Sequence, residues 1–136
     1  MGFTKALGRA AFGGFFLYSG INHFREIENM KAYAGAKEIP YPEVAVKATG
    51  AVLIASGLSL ILGIKPRVGA TGAAAFLAAV SPAMHNFWKQ TDPGQQKNEM
   101  IHFSKNMALL AAALSMSGDD SAEKCCGGRR CESESD

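Results

Sequence analysis

The sequence predicts an all-α fold: a four-helix transmembrane bundle with a short interfacial helix in the first loop and a disordered C-terminal tail. Three observations lead there. Long stretches lack any Asp, Glu, Lys or Arg: 15 residues between Arg9 and Arg25, 17 between Lys47 and Lys65, 21 between Arg67 and Lys89, and 13 after Lys105 up to Gly118. The second and third stretches are apolar on every helical face, whereas a soluble amphipathic helix shows charge on its outer face at each turn. Small residues recur along them at four-residue spacing, the pattern that lets helices approach closely in lipid.

Composition narrows the alternatives. Of 136 residues, 48% are hydrophobic and 19% charged, enough apolar surface to argue against general disorder. The formal charge of +2 gives no dense basic face, so nucleic acid is not an expected partner. The 15 Gly show no three-residue period and the 3 Cys are too few for a disulfide scaffold. Mean hydropathy is close to zero, but that average misleads, because the charges are not spread evenly along the chain. A soluble bundle is the competing fold. The chain is too short to surround several helices that are apolar all round.

The expected spans are about 4–23, 47–64, 68–88 and 100–118, forming one domain over 1–118. The third is roughly 30 Å long at 1.5 Å per residue, about the thickness of a bilayer core. The first reaches working length if Lys5 and Arg9 snorkel, and the fourth if Lys105 sits near headgroups. The first span is expected to be retained rather than cleaved, because the largely polar stretch 22–31 separates it from Ala32-Tyr33-Ala34. Small-residue stripes run through Ala6, Ala10 and Gly14, through Ala51, Ala55, Ser59 and Gly63, and through Ala70, Ala74 and Ala78. The second and third spans, joined by 63–67, are expected to form a tight hairpin. Pro82 should kink the third span.

In the first loop, Ile27, Met30, Tyr33 and Ala34 predict a short amphipathic helix at the interface, stopped by Ile39-Pro40-Tyr41-Pro42. Residues 119–136 are polar and without apolar periodicity, and read as a disordered tail carrying Cys125, Cys126 and Cys131. These three thiols fit neither a four-ligand zinc site nor a C-x-x-C motif. Basic residues number seven on each side, so orientation rests on Lys65 and Arg67 in the short second loop. They place both termini of a multi-pass protein in the cytoplasm.

Four crossings bring the polar residues together. Asn22 and His23 end the first span, Ser81, His85 and Asn86 end the third, and His102, Lys105 and Asn106 begin the fourth, all on one side. Asn22, His23, His85, His102, Lys105 and Asn106 are therefore the candidate ligand-binding cluster, since polar groups at membrane depth are costly unless paired or functional. The plainer reading is an interfacial set in contact with water, with Phe87, Trp88 and Tyr41 as an aromatic belt. The sharper one is a pocket for the polar head of a quinone or similar lipid-like molecule. There the histidines exchange protons and Lys105 faces an anionic oxygen. Metal or haem held by His23, His85 and His102 is disfavoured, because each His stands alone on its helix. No metal ligand set is assigned.

The segments Gly20-Ile21-Asn22-His23-Phe24, Gly35 with Ile39-Pro40-Tyr41-Pro42, His85-Asn86-Phe87-Trp88, and 101–109 with its Lys105-Asn106 pair resemble the DoxX family of small membrane proteins over roughly 5–117. The opening Met1-Gly2-Phe3 with Gly8-Arg9 is also similar to plant lesion-inducing-like proteins. The resemblance implies a four-helix membrane bundle. Some members of that family are subunits of a thiosulfate:quinone oxidoreductase or of redox and thiol-stress complexes. For this chain it implies an accessory subunit or quinone-like ligand binder in a membrane redox system, with a redox-enzyme partner subunit or a homo-oligomer as assembly. Any catalysis would be that of a subunit of a quinone-linked oxidoreductase. The alternative is a non-enzymatic membrane scaffold whose polar cluster only buttresses the bundle. The Cys-containing tail is not part of the family pattern.

Overall fold

A computed structural model describes residues 2–118, and the tail with its three cysteines lies outside the described residues. The described chain is helical, without strands: α1 (Gly2–Arg25), α2 (Ile27–Ala36), α3 (Pro42–Leu62), α4 (Pro66–Met84), a 3-10 turn (Phe87–Lys89) and α5 (Pro93–Gly118). In space α1 packs on α3, α3 on α4 and α4 on α5, while the short α2 lies against α3. The four long helices meet in one core of Phe16, Leu53, Ala73, Ala74, Leu77 and Ala113, with Phe12, Phe76, Leu109 and Leu110 around it.

Local chemistry explains where the helices stop. The α2–α3 turn falls at the expected 39–42: Tyr41 is left-handed (φ 50°) and Pro42 opens α3 at its first turn. Between α3 and α4, Gly63 takes a left-handed conformation (φ 70°) that only glycine adopts without a Cβ penalty. Ser59 Oγ donates to the carbonyls of Ile64 (2.7 Å) and Lys65 (3.1 Å), fixing the turn, and Pro66 opens α4. Pro82 falls in the last turn of α4, which ends two residues later at Met84. The helix thus stops short of Trp88, and His85 and Asn86 are released into a non-helical corner. At the other end of that corner Asp92 Oδ2 accepts from the Gln95 amide at 2.9 Å, and Pro93 begins α5. That helix therefore starts well before residue 100 and includes Glu99.

The tightest contact joins α1 to α3. A Cβ added at Gly57 would lie 2.6 Å from the Leu17 amide nitrogen and 2.7 Å from the Gly13 carbonyl oxygen. One added at Gly20 would lie 2.8 Å from the Gly50 carbonyl oxygen, and one at Gly50 would lie 2.9 Å from His23 Cβ. Gly13 and Gly20 thus face Gly57 and Gly50 across an antiparallel pair, two helical turns apart, with Phe16 and Leu53 filling the space between. This corrects the expected stripes. Ala6, Ala10, Ala51 and Ala55 are exposed, as is Ala78, and nothing lies within 4 Å of a Cβ at Gly14. Four-residue spacing marks a helix face but not which of several small-residue faces meets a neighbour. Ala70 and Ala74 are buried as expected. The α3–α4 hairpin closes through Gly69, where a Cβ would stand 2.8 Å from Ser59 Oγ and 2.9 Å from the Ser56 carbonyl oxygen.

Two described segments are long and apolar enough to cross a membrane, Pro42–Leu62 and Pro66–Lys89. Only 33% of the most apolar stretch of each is buried within the fold. A soluble core helix would bury most of such a surface. Here large apolar side chains such as Val44, Leu58, Leu62 and Val68 face outward instead.

Two substitutions test the seam. Gly57→Val should lower stability by about 1–3 kcal/mol, through overpacking against the α1 backbone. Gly14→Ala, on an open face, should leave stability unchanged or slightly raised. Thermal unfolding in detergent micelles measures both, and equal effects would contradict the glycine seam.

Candidate functional site

Helices α1, α3, α4 and α5 contribute their ends on one side of the bundle to a common cavity, with α2 lying across it. The cavity has a volume of about 810 Å³ and is mainly apolar. Its wall includes Phe15, Phe16, Val52, Leu53 and Phe76, and small residues such as Ala48, Ala75, Ala79 and Ala83 leave the space open. Polar side chains reach it at a few points only: Ser19 and His23 from α1, Tyr33 from α2, Thr49 from α3, His85 from the corner after α4, and Asn106 from α5.

The structure divides the six expected site residues. His23, His85 and Asn106 line the cavity, whereas Asn22, His102 and Lys105 do not. His23 follows Ser19 by one helical turn, and its Nδ1 donates to the Ser19 carbonyl oxygen at 2.7 Å. Its ring also stands edge-on to Phe76, 6.2 Å between centroids. Asn22 is half-buried on a different face of α1. Asn106 is 9% exposed, the most buried polar side chain of α5. His102 stacks on His85, with ring centroids 5.2 Å apart and planes 16° from parallel. The exposed Lys105 reaches back to His102 Nδ1 at 3.5 Å, not toward the cavity.

Three residues outside the expected cluster complete the site. Glu99 Oε2 lies 2.7 Å from His85 Nδ1. Its other oxygen, Oε1, accepts from Lys37 Nζ at 3.2 Å and from the Tyr33 hydroxyl at 3.2 Å. Lys37 also donates to Asn86 Oδ1 at 3.3 Å. The carboxylate therefore ties α2, α5 and the corner after α4 together. Burial alone would push the Glu99 carboxyl up. The hydrogen bonds from His85 and Lys37 and their charges outweigh it, and the group is held below its ordinary 4.5. Burial, followed by the neighbouring Glu99 charge, pushes the Tyr33 phenol up, so it remains a neutral donor. Phe87, Trp88 and Phe103 pack edge to face at 5.1–6.1 Å and fix the 3-10 turn onto α5. A signal for Glu99 existed in the sequence. Asp92-Pro93 starts a helix, and Glu99 and His102, three apart, then share its face.

A depressed carboxyl carries a pH signature. Glu99 contributes stability above the ordinary carboxylate range, and the contribution is lost as pH falls through its lowered value. Glu99→Gln should reduce stability by about 1–3 kcal/mol at neutral pH, because Lys37 and His85 lose their anionic partner. The gap between wild type and variant should close in acid. Unfolding temperatures between about pH 7 and pH 3 measure it, and a gap independent of pH would contradict the network.

The family model described as DoxX matches residues 4–86, more than half of the chain, and so takes in α1 to α4 with His23 and His85. No curated protein matches the chain. No solved structure matches it either. Glu99, His102, Lys105 and Asn106 fall beyond the matched region. The chain belongs to the DoxX family, and that membership points to a membrane protein.

Proposed function

We propose that α1, α3, α4 and α5 all cross a membrane, and that the bundle binds a small amphiphile of quinone-like size in a membrane redox or oxidative-stress system. The observation that carries the reading is the cavity: about 810 Å³, apolar along most of its wall, with a few polar side chains gathered on one side of the bundle. Small-molecule sites have this volume and this balance of apolar wall to polar anchors. The outward faces support the membrane part. Phe3, Leu7, Tyr18 and Ile21 of α1 and Met100, Ile101 and Leu114 of α5 are exposed, as are the apolar faces of α3 and α4. Lipid solvates such surfaces and water does not. In this arrangement the exposed Trp88 and Tyr41 lie at the level of the headgroups, beside α2. Lys5 and Arg9 at one end of α1 and Arg25 at the other reach the two interfaces.

The scaffold reading remains the alternative, and one observation favours it: Glu99, Lys37 and Tyr33 join three elements and would stabilise the bundle with no ligand present. The two readings separate at Ala79, whose side chain lines the cavity and is otherwise exposed. Ala79→Trp should fill the space without disturbing the core. Under the binding reading, organic extracts of the purified wild type contain a stoichiometric amphiphile, and those of Ala79→Trp lose it about tenfold or more. An extract with lipid in the same amounts from both proteins would favour the scaffold. Release of the wild type from membranes by alkaline carbonate without detergent would falsify the membrane-spanning arrangement.

A further inference from the structure

The two histidines of the cavity are held in the same way, although their partners differ. His23 Nδ1 faces the Ser19 carbonyl oxygen at 2.7 Å, a group that can only accept. His85 Nδ1 faces Glu99 Oε2 at 2.7 Å. The same carboxylate accepts from Lys37 and Tyr33 through Oε1, so it is ionised and likewise accepts from His85. In each neutral ring the proton is therefore on Nδ1, and Nε2 carries a lone pair. Among the described residues no group hydrogen-bonds either Nε2. His102 stacks on the face of the His85 ring rather than on its edge, and His23 and His85 both line the cavity.

We infer that the cavity selects a ligand whose head carries a hydroxyl donor, a phenol or hydroquinone with an apolar tail, over heads that only accept. The inference rests on the binding reading above and adds the direction of its hydrogen bonds. A ring O–H donates to Nε2 of His23 or His85. A ring carbonyl or ether can accept from the Asn106 amide or the Ser19 hydroxyl of the lining, but it presents a second lone pair to Nε2 and leaves that nitrogen without a partner, whereas a ring hydroxyl satisfies both. The aromatic edges of Phe15, Phe16 and Phe76 and the thioethers of Met30 and Met84 suit a flat ring.

Glu99 is then a positioning residue, since it sets the His85 tautomer without lining the cavity. The test is isothermal titration of the detergent-purified chain in mildly alkaline buffer with three probes of equal tail length: 4-nonylphenol, its methyl ether and a nonyl-benzoquinone. Wild type should bind the phenol about tenfold or more tightly than the ether or the quinone. In the double variant His23→Phe/His85→Phe the phenol should lose most of that advantage while the ether binds as before, and Glu99→Gln and His85→Phe alone should each lose part of it; a double variant that keeps the full advantage would overturn the assignment. Equal affinity of wild type for all three would overturn the selectivity and leave the binding reading standing. Binding of none of them would overturn both. A quinone preferred to the phenol would overturn the assignment of Nε2 as an acceptor.

Discussion

The contact on which the arrangement depends is the approach of α1 to α3 through Gly13, Gly20, Gly50 and Gly57. No side chain stands between the two backbones there, so their separation is set by main-chain atoms. Seen from the site, this seam has a second effect. Gly50 lies directly against His23 Cβ, so the same close approach that joins the helices fixes where the imidazole enters the cavity. Where α4 faces the void, the residues are Ala75, Ala79 and Ala83. Small side chains thus act in two opposite ways: glycine brings backbones together on the α1–α3 seam, and alanine leaves space beside α4.

The cavity is closed on one side by polar chemistry rather than by packing. α2 is short, ten residues, and has one buried residue, Ala34. Its connection to α5 and to the corner after α4 runs through Lys37, Tyr33 and the Glu99 carboxylate. A partly buried carboxylate with a lysine, a phenol and an imidazole around it is well satisfied, and removal of any one partner leaves the others exposed to the cost of burial. The helix ends make this possible from the backbone upward. α4 ends at Met84 and leaves His85 outside the helix, and Asp92-Pro93 starts α5 early enough to include Glu99.

Much of this was legible in the sequence, at different depths. The charge-free stretches foretold all the long helices, Ile27, Met30, Tyr33 and Ala34 foretold α2, and the crossing pattern placed His23, His85 and Asn106 on one side. Membership of the family was legible in the His85-Asn86-Phe87-Trp88 and Gly20-Ile21-Asn22-His23-Phe24 segments. The contact stripes are not legible in this way, because periodicity in a helix rich in Ala and Gly gives several small-residue faces, and only the shape of the neighbour selects one. The i, i+3 and i+4 spacing of His102, Lys105 and Asn106 puts all three on one face. The face is broad, and on it Asn106 turns inward while Lys105 remains exposed. Glu99 precedes the apolar stretch, so hydropathy alone leaves it outside the helix, whereas the helix begins at Pro93 and continues through it without interruption.

On the proposed reading, the apolar cavity of this bundle, open to amphiphiles, is the working part of the molecule. Photolabelling in native membranes with a diazirine-bearing alkylphenol, with adducts mapped by mass spectrometry, measures it directly. Adducts should form on Phe76, Ala79, Val80 and Ala83 and be suppressed by an excess of unlabelled alkylphenol. Labelling confined to outward residues such as Leu58, Leu62 and Val68, and insensitive to competitor, would contradict it.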